Sequence, residues 1–178
     1  LGNCFFESKM SIKVRESISN LQTYNVGGRS DLSSDWECFD WNESEFPPSN
    51  KVFEVMKSFY RYERYPDITA KELKIKLSGY VSLPTQFIEV YNGSDDALKD
   101  IITVFVDKDT RVLSYQPSYT QVNTFITTNT DKYMKINILD PLGEHSYNFN
   151  LCAGTDVVYL VNPNNPTGKL LEVDKIEE

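Results

Sequence analysis

Two stretches decide the fold: FIEVYNGSDDALKDIITVFV, residues 87–106, and RVLSYQPSYTQVNTFITT, residues 111–128. In each, a short apolar run gives way to a turn and then to helical spacing. Phe87 to Tyr91 reads as a strand and Ala97 to Val106 as a helix. Arg111 to Tyr115 repeats the strand, and Tyr119 to Thr128 the helix. Tyr133 to Ile138 and Asp156 to Val161 are strand-like again. Short apolar strands alternating with helices predict an α/β domain on a mostly parallel sheet. Ligands of such sheets bind at the carboxyl ends of the strands.

Upstream the pattern loosens. Leu1 to Ser49 is poorly periodic, with turn signals at Gly27-Gly28 and Pro47-Pro48, and reads as an extended arm. Val52, Val55, Met56, Phe59 and Tyr60 share one helical face, which predicts an amphipathic helix from Asn50 to about Tyr62. Thr69 followed by Glu72 has the spacing of a capping box. Leu73, Leu77 and Tyr80 continue an apolar stripe along the helix it would start.

Composition narrows the function classes. The 178 residues are 40% hydrophobic and 25% charged, ordinary for a folded globular chain. Net charge is −8, from 18 Lys and Arg against 26 Asp and Glu. Phosphate backbones are held by basic patches, so nucleic acid is not the expected partner. No apolar run approaches the roughly 20 residues that span a bilayer, and no basic flank precedes an apolar core at the N-terminus. Neither a membrane partner nor a secretory signal is expected. Cys4, Cys38 and Cys152 are odd in number and scattered, which fits a reducing, cytoplasmic setting. A single histidine, His145, and no Cys-x-x-Cys argue against a zinc site, so no metal is expected.

Three motifs follow predicted strands. In Asn92-Gly93-Ser94-Asp95-Asp96, Gly93 permits close backbone approach, and the N–H groups after it open a helix. Such an N-terminus suits a phosphate. Alternatively, Ser94 or Asp95 simply caps the helix. In Tyr115-Gln116-Pro117-Ser118-Tyr119, Tyr119 stands at a strand end, either as a stacking surface for a flat heterocycle or as an ordinary core or surface tyrosine. The third motif is the most specific. Asn162-Pro163-Asn164-Asn165-Pro166-Thr167-Gly168 forces a tight turn and presents amide side chains at a strand's carboxyl end.

That last string resembles the PNNPTG signature of fold type I pyridoxal-phosphate aminotransferases of class I/II. Arg64-Tyr65-Pro66-Asp67 matches the RYPD segment of the histidinol-phosphate aminotransferase-like branch. Asn42-Glu43-Ser44 with Pro47-Pro48-Ser49 is similar to that branch's NENP…PSP segment. Asn92 to Asp96 is similar to its NGSDE, and Tyr24-Asn25-Val26-Gly27 to its PYxPG arm. Order and spacing agree from about Tyr24 to the end.

The resemblance implies a three-layer sandwich with a mostly parallel sheet. Residues 1–49 would form the N-terminal arm and small-domain segment, and 50–178 the N-terminal part of the cofactor-binding large domain. It implies pyridoxal 5'-phosphate as cofactor, amino-acid and keto-acid substrates, and a homodimer. Gly93, Ser94 and Asp95 would hold the cofactor phosphate through backbone N–H groups. Tyr119 would stack on the pyridine ring, Asn165 would bond its phenolic oxygen, and Tyr65 would reach the phosphate in the neighbouring subunit. Tyr24, Asn42 and Glu43 would lie by the substrate.

The departures are equally informative. In this family the Schiff-base lysine lies beyond PNNPTG in an S-x-x-K context, followed by an arginine for the substrate acid. This sequence ends ten residues after Gly168 without S-x-x-K, and Lys169 and Lys175 stand in the wrong context. It therefore reads as the front part of a longer enzyme, inactive alone. A decarboxylase or lyase of the same fold and a non-catalytic remnant that binds a partner are the alternatives. Asn-Glu-Ser in place of Asn-Glu-Asn-Pro, and Asp96 where glutamate is usual, leave the substrate open.

Overall fold

A computed structural model describes residues 14–19, 21, 42–140 and 143–177. In chain order its elements are α1 (Glu16–Ser19), α2 (Asn50–Ser58), α3 (Lys71–Val81), α4 (Ser94–Phe105), β1 (Val112–Gln116), α5 (Gln121–Asn129), β2 (Tyr133–Asn137), β3 (Val157–Tyr159) and α6 (Asp174–Glu177). The chain divides into two units, Thr23–Val90 and Leu1–Gln22 with Tyr91–Glu178.

The larger unit carries the sheet. Its strand order is β2-β1-β3, and β1 is parallel to both neighbours, with Val112 opposite Tyr133 on one side and Val157 on the other. Parallel neighbours cannot be joined by a hairpin, and α5 supplies the crossover from β1 to β2. β1 is central because it can bury both faces; its first four residues are all buried. Val112 packs with Ile102 and Val106 of the α4 region and with Val122 and Ile126 of α5. Leu113 and Tyr115 point the other way, to Ile138, Tyr147, Phe149 and Cys152. The period of two along β1 thus builds two cores, one on each side of a parallel sheet. This is the predicted α/β class.

At the amino ends of the strands, Asp156 clamps β1 to β3. It accepts the Arg111 backbone N–H at 2.8 Å and two bonds from the Arg111 guanidinium, at 3.2 and 3.1 Å. The guanidinium holds this carboxyl down at about 2.

Several predicted elements change. Phe87 to Tyr91 is not a strand: a 3-10 turn covers Thr85–Phe87, and residues 88–91 pair with no strand among the described residues. An apolar run becomes a strand only where a neighbour completes its ladder. The Thr69–Glu72 capping box does not form either. Asp67 accepts from the N–H and hydroxyl of Thr69, at 2.9 and 2.7 Å, and from the Lys71 N–H at 3.0 Å. Asp67 thus occupies both the Thr69 N–H and the Thr69 hydroxyl that the box would use, and α3 begins after Ala70, which takes a positive φ of 46°. α2 stops at Ser58 rather than Tyr62; there the Tyr62 phenol donates to the Met56 carbonyl at 2.8 Å and its ring packs edge-on against Phe59. The stripe Leu73, Leu77, Tyr80 buries none of its members, and none of residues 42–90 is fully buried.

Candidate cofactor site

The loops leaving the carboxyl ends of β1 and β3 are tied by one side chain. Asn164, only 4% exposed, donates its amide to the Pro117 carbonyl at 3.0 Å and to the Thr167 hydroxyl at 2.9 Å. Its backbone closes the same loop, with its N–H on the Lys169 carbonyl at 2.8 Å and its carbonyl accepting from the Gly168 N–H. Gly168 makes the turn at φ +67°, where a Cβ would be strained. Asn162 acts as a strand residue would. Its amide donates to the Leu171 carbonyl at 2.9 Å, and its side-chain oxygen accepts the Leu171 N–H at 2.8 Å. Two of the three asparagines therefore hold the loop. Asn165, half-buried, makes no side-chain hydrogen bond among the described residues.

At the start of α4, Gly93 is the capping position, at φ 90° and ψ 166°, and no side chain bonds the first turn. Ser94 and Asp95 are inside the helix, so neither acts as the cap that the sequence allowed. The first-turn N–H groups keep their donors for an external acceptor. Asp95 and Asp96 add negative charge there, which the helix dipole favours.

Tyr119 lies just before α5, and its phenol donates to both oxygens of the Asp95 carboxylate, at 2.8 and 2.9 Å. Beside it Ser118 is buried with no partner for its hydroxyl among the described residues. Thus Gly93, Ser94, Asp95 and Tyr119 come together, and Asn165 sits in the loop that Asn164 anchors to Pro117. Tyr65, 98% exposed, belongs to the other unit, as do Asn42, with φ 52°, and Glu43. Tyr24 lies outside the described residues, as do Cys4 and Cys38.

Beneath the site runs a polar network that the sequence reading missed. Gln116 donates to the Ser114 hydroxyl and the Asn123 side-chain oxygen, each at 3.1 Å. The Tyr133 phenol pairs with Ser114 at 2.7 Å and bonds Asn123 as well. Burial pushes the Tyr133 phenol up, and hydrogen bonds from Ser114 and Gln116 pull it back. Burial also raises the Tyr159 phenol, with the Tyr133 phenol and Asp95 carboxylate adding to it. The available signal was Ser114 and Gln116 alternating with apolar residues in a central strand. Among the described residues no group of acidic, histidine or cysteine side chains is placed to hold a metal, and no helix is long and apolar enough to cross a membrane.

This arrangement is an open α/β sheet with an uncapped helix start, a tethered tyrosine and an asparagine loop at its carboxyl edge. The family model for aminotransferase class I and II matches residues 34–178, and the chain belongs to that family. A histidinol-phosphate aminotransferase of Buchnera aphidicola subsp. Schlechtendalia chinensis is 30% identical, over 91% of this chain and 45% of the relative. A dihydroxyacetone phosphate transaminase of Campylobacter jejuni is 31% identical, over 78% of this chain and 40% of the relative. The solved histidinol-phosphate aminotransferase of Sinorhizobium meliloti, in complex with pyridoxal-5'-phosphate, superimposes with a TM-score of 0.65 at 21% identity, over 76% of this chain and 38% of that one. The chain spans about half the length of the curated relatives it matches.

Proposed function

We propose that this chain forms the front part of the cofactor seat of a pyridoxal-phosphate-dependent aminotransferase acting on a phosphorylated amine or keto compound. The observation that carries the reading is that, in one unit, the uncapped α4 N-terminus meets the tethered Tyr119 ring, while the loop bearing Asn165 is tied through Asn164 to the loop bearing Tyr119. The names of the two curated relatives support a phosphorylated substrate.

These residues fit pyridoxal phosphate. Backbone N–H groups of Ser94 and Asp95 would take the phosphate, because the first turn carries no side-chain cap. The Tyr119 ring would stack on the heterocycle. Asn165 has a free side-chain donor for the phenolic oxygen. When bound, the cofactor supplies the electron sink for amino transfer. The chain's own part is to bind and orient it. Residues 1–49 serve as arm and small-domain segment in this reading, and 50–178 as the front of the large domain. Tyr65 reaches the cofactor phosphate of a second subunit in a cytosolic homodimer, and Tyr24, Asn42 and Glu43 border the substrate. The 178 residues contain no lysine in an S-x-x-K context, so the chain alone retains the cofactor without transaminating.

Equilibrium dialysis of the purified chain against pyridoxal phosphate, with pyridoxal as control, tests this. Saturable retention of the phosphate ester, weaker retention of pyridoxal and no adduct reducible by borohydride are expected. Equal affinity for the two compounds, or none for either, would sink the reading.

A further inference from the structure

We propose that the Asp95 carboxylate is a positioning group that fixes the Tyr119 ring, so that the phosphate seat and the stacking face are built as one piece. The inference rests on the cofactor reading above and assigns Asp95 a role for its side chain beyond that of its backbone N–H.

The two residues are 24 positions apart, on α4 and on the loop between β1 and α5, and the phenol is shared between both carboxylate oxygens. The contact is at the far end of the ring. The phenol oxygen lies on the χ2 axis, so anchoring it restrains χ1. Because a phenol O–H prefers the plane of its ring, a fixed carboxylate partner also biases χ2 and with it the direction of the ring face. The capping position is Gly93, so Asp95 lies within the first turn and its carboxylate faces the Tyr119 phenol instead of serving as the cap. A carboxylate so close to a phosphate seat also carries a penalty, since like charges repel. A residue there only to favour the helix start would serve without facing Tyr119, whereas ring positioning requires an acceptor at this place. The acceptor, not the charge, is what matters. An amide oxygen would do the same work without the repulsion.

The test compares the wild-type chain with Asp95→Ala, Asp95→Asn, Tyr119→Phe and the double variant Asp95→Ala/Tyr119→Phe. Two quantities are read: the dissociation constant for pyridoxal phosphate, and the order of the Tyr119 ring by NMR of ring-labelled tyrosine without ligand. Asp95→Ala and Tyr119→Phe should each weaken binding roughly three- to tenfold, the range expected for losing one ordinary hydrogen bond. The double variant should be no weaker than the worse single one, because both remove the same bond. Asp95→Asn should bind at least as well as wild type. In the free chain the Tyr119 ring should lose order in Asp95→Ala and keep it in Asp95→Asn. Additive losses in the double variant, or an ordered ring in Asp95→Ala, would overturn the proposal. A wild-type chain that retains no pyridoxal phosphate refutes the cofactor reading by itself, and the ring measurement still decides whether Asp95 positions Tyr119.

Discussion

Asn164 donates its side-chain amide to the carbonyl of Pro117 at 3.0 Å, across 47 residues of sequence. That bond joins the loop after β3 to the loop after β1, so the segment bearing Asn165 and the one bearing Tyr119 share a support. The side chain is nearly inaccessible, and the same amide also reaches Thr167.

Replacing Asn164 by alanine removes both bonds and leaves the Pro117 carbonyl without that donor. Unsatisfied buried polar groups cost about 1–3 kcal/mol each. Asn164→Ala should therefore lower the unfolding free energy by about 1–3 kcal/mol, read in urea as a lower midpoint at unchanged slope. An unchanged midpoint would show that the two loops are held by other means.

Asp156 makes acid stability a measurable property of the strand ends. Its carboxyl is held at about 2, against an ordinary value of 3.8, by hydrogen bonds from the Arg111 side chain and backbone. A depressed carboxyl contributes stability above its unfolded value, and that contribution disappears as pH falls through the folded value. Wild type should exceed Asp156→Asn in stability at neutral pH. The gap should close between pH 3.8 and about 2. Thermal unfolding at several pH values measures it, and a gap that persists at the acid end would contradict this role for Arg111.

How much of this was legible in the sequence depends on which partner a residue needed. β1 was plain because the run Val112 to Tyr115 is apolar enough to be buried on both faces, and its strand-helix context fixes a parallel sheet. Phe87 to Tyr91 has the same look, yet its strand status depended on a neighbour that no local pattern reveals. Thr69 and Glu72 have the right spacing for a cap, but Asp67, two residues upstream, takes the Thr69 N–H and hydroxyl that the box would use. In Asn162 to Gly168 the composition announces a turn at a strand end. It does not say which amide holds the turn, because that depends on Pro117 and Leu171, 47 and nine positions away from the asparagines they meet.

Gly93 is a backbone requirement rather than a packing one. A Cβ built there meets nothing within 4 Å, yet φ is +90° and ψ 166°, a region that side chains disfavour. Gly93→Ala should therefore cost about 1–3 kcal/mol through backbone strain alone. It should also weaken anion binding at the α4 start, since relieving the strain turns the first N–H groups away. Unfolding and phosphate competition on the same variant check both effects, and full stability with full binding would show that the turn tolerates a side chain.

The two asparagines Asn162 and Asn165 provide the sharpest separation of structure from function. Asn162 exchanges two hydrogen bonds with Leu171, and a pair of this kind contributes roughly 0.5–1.5 kcal/mol per bond. Asn165 makes no side-chain hydrogen bond among the described residues, so truncating it breaks no such bond within the fold. Asn162→Ala should lower stability by about 1–3 kcal/mol. Its effect on pyridoxal phosphate binding should follow only from that loss. Asn165→Ala should leave the melting temperature unchanged and weaken cofactor retention several-fold, with a shifted absorbance band for the bound cofactor. The opposite pattern, a destabilised Asn165→Ala chain that binds normally, would mean that Asn165 belongs to the loop's scaffold and that the phenolic oxygen is recognised elsewhere.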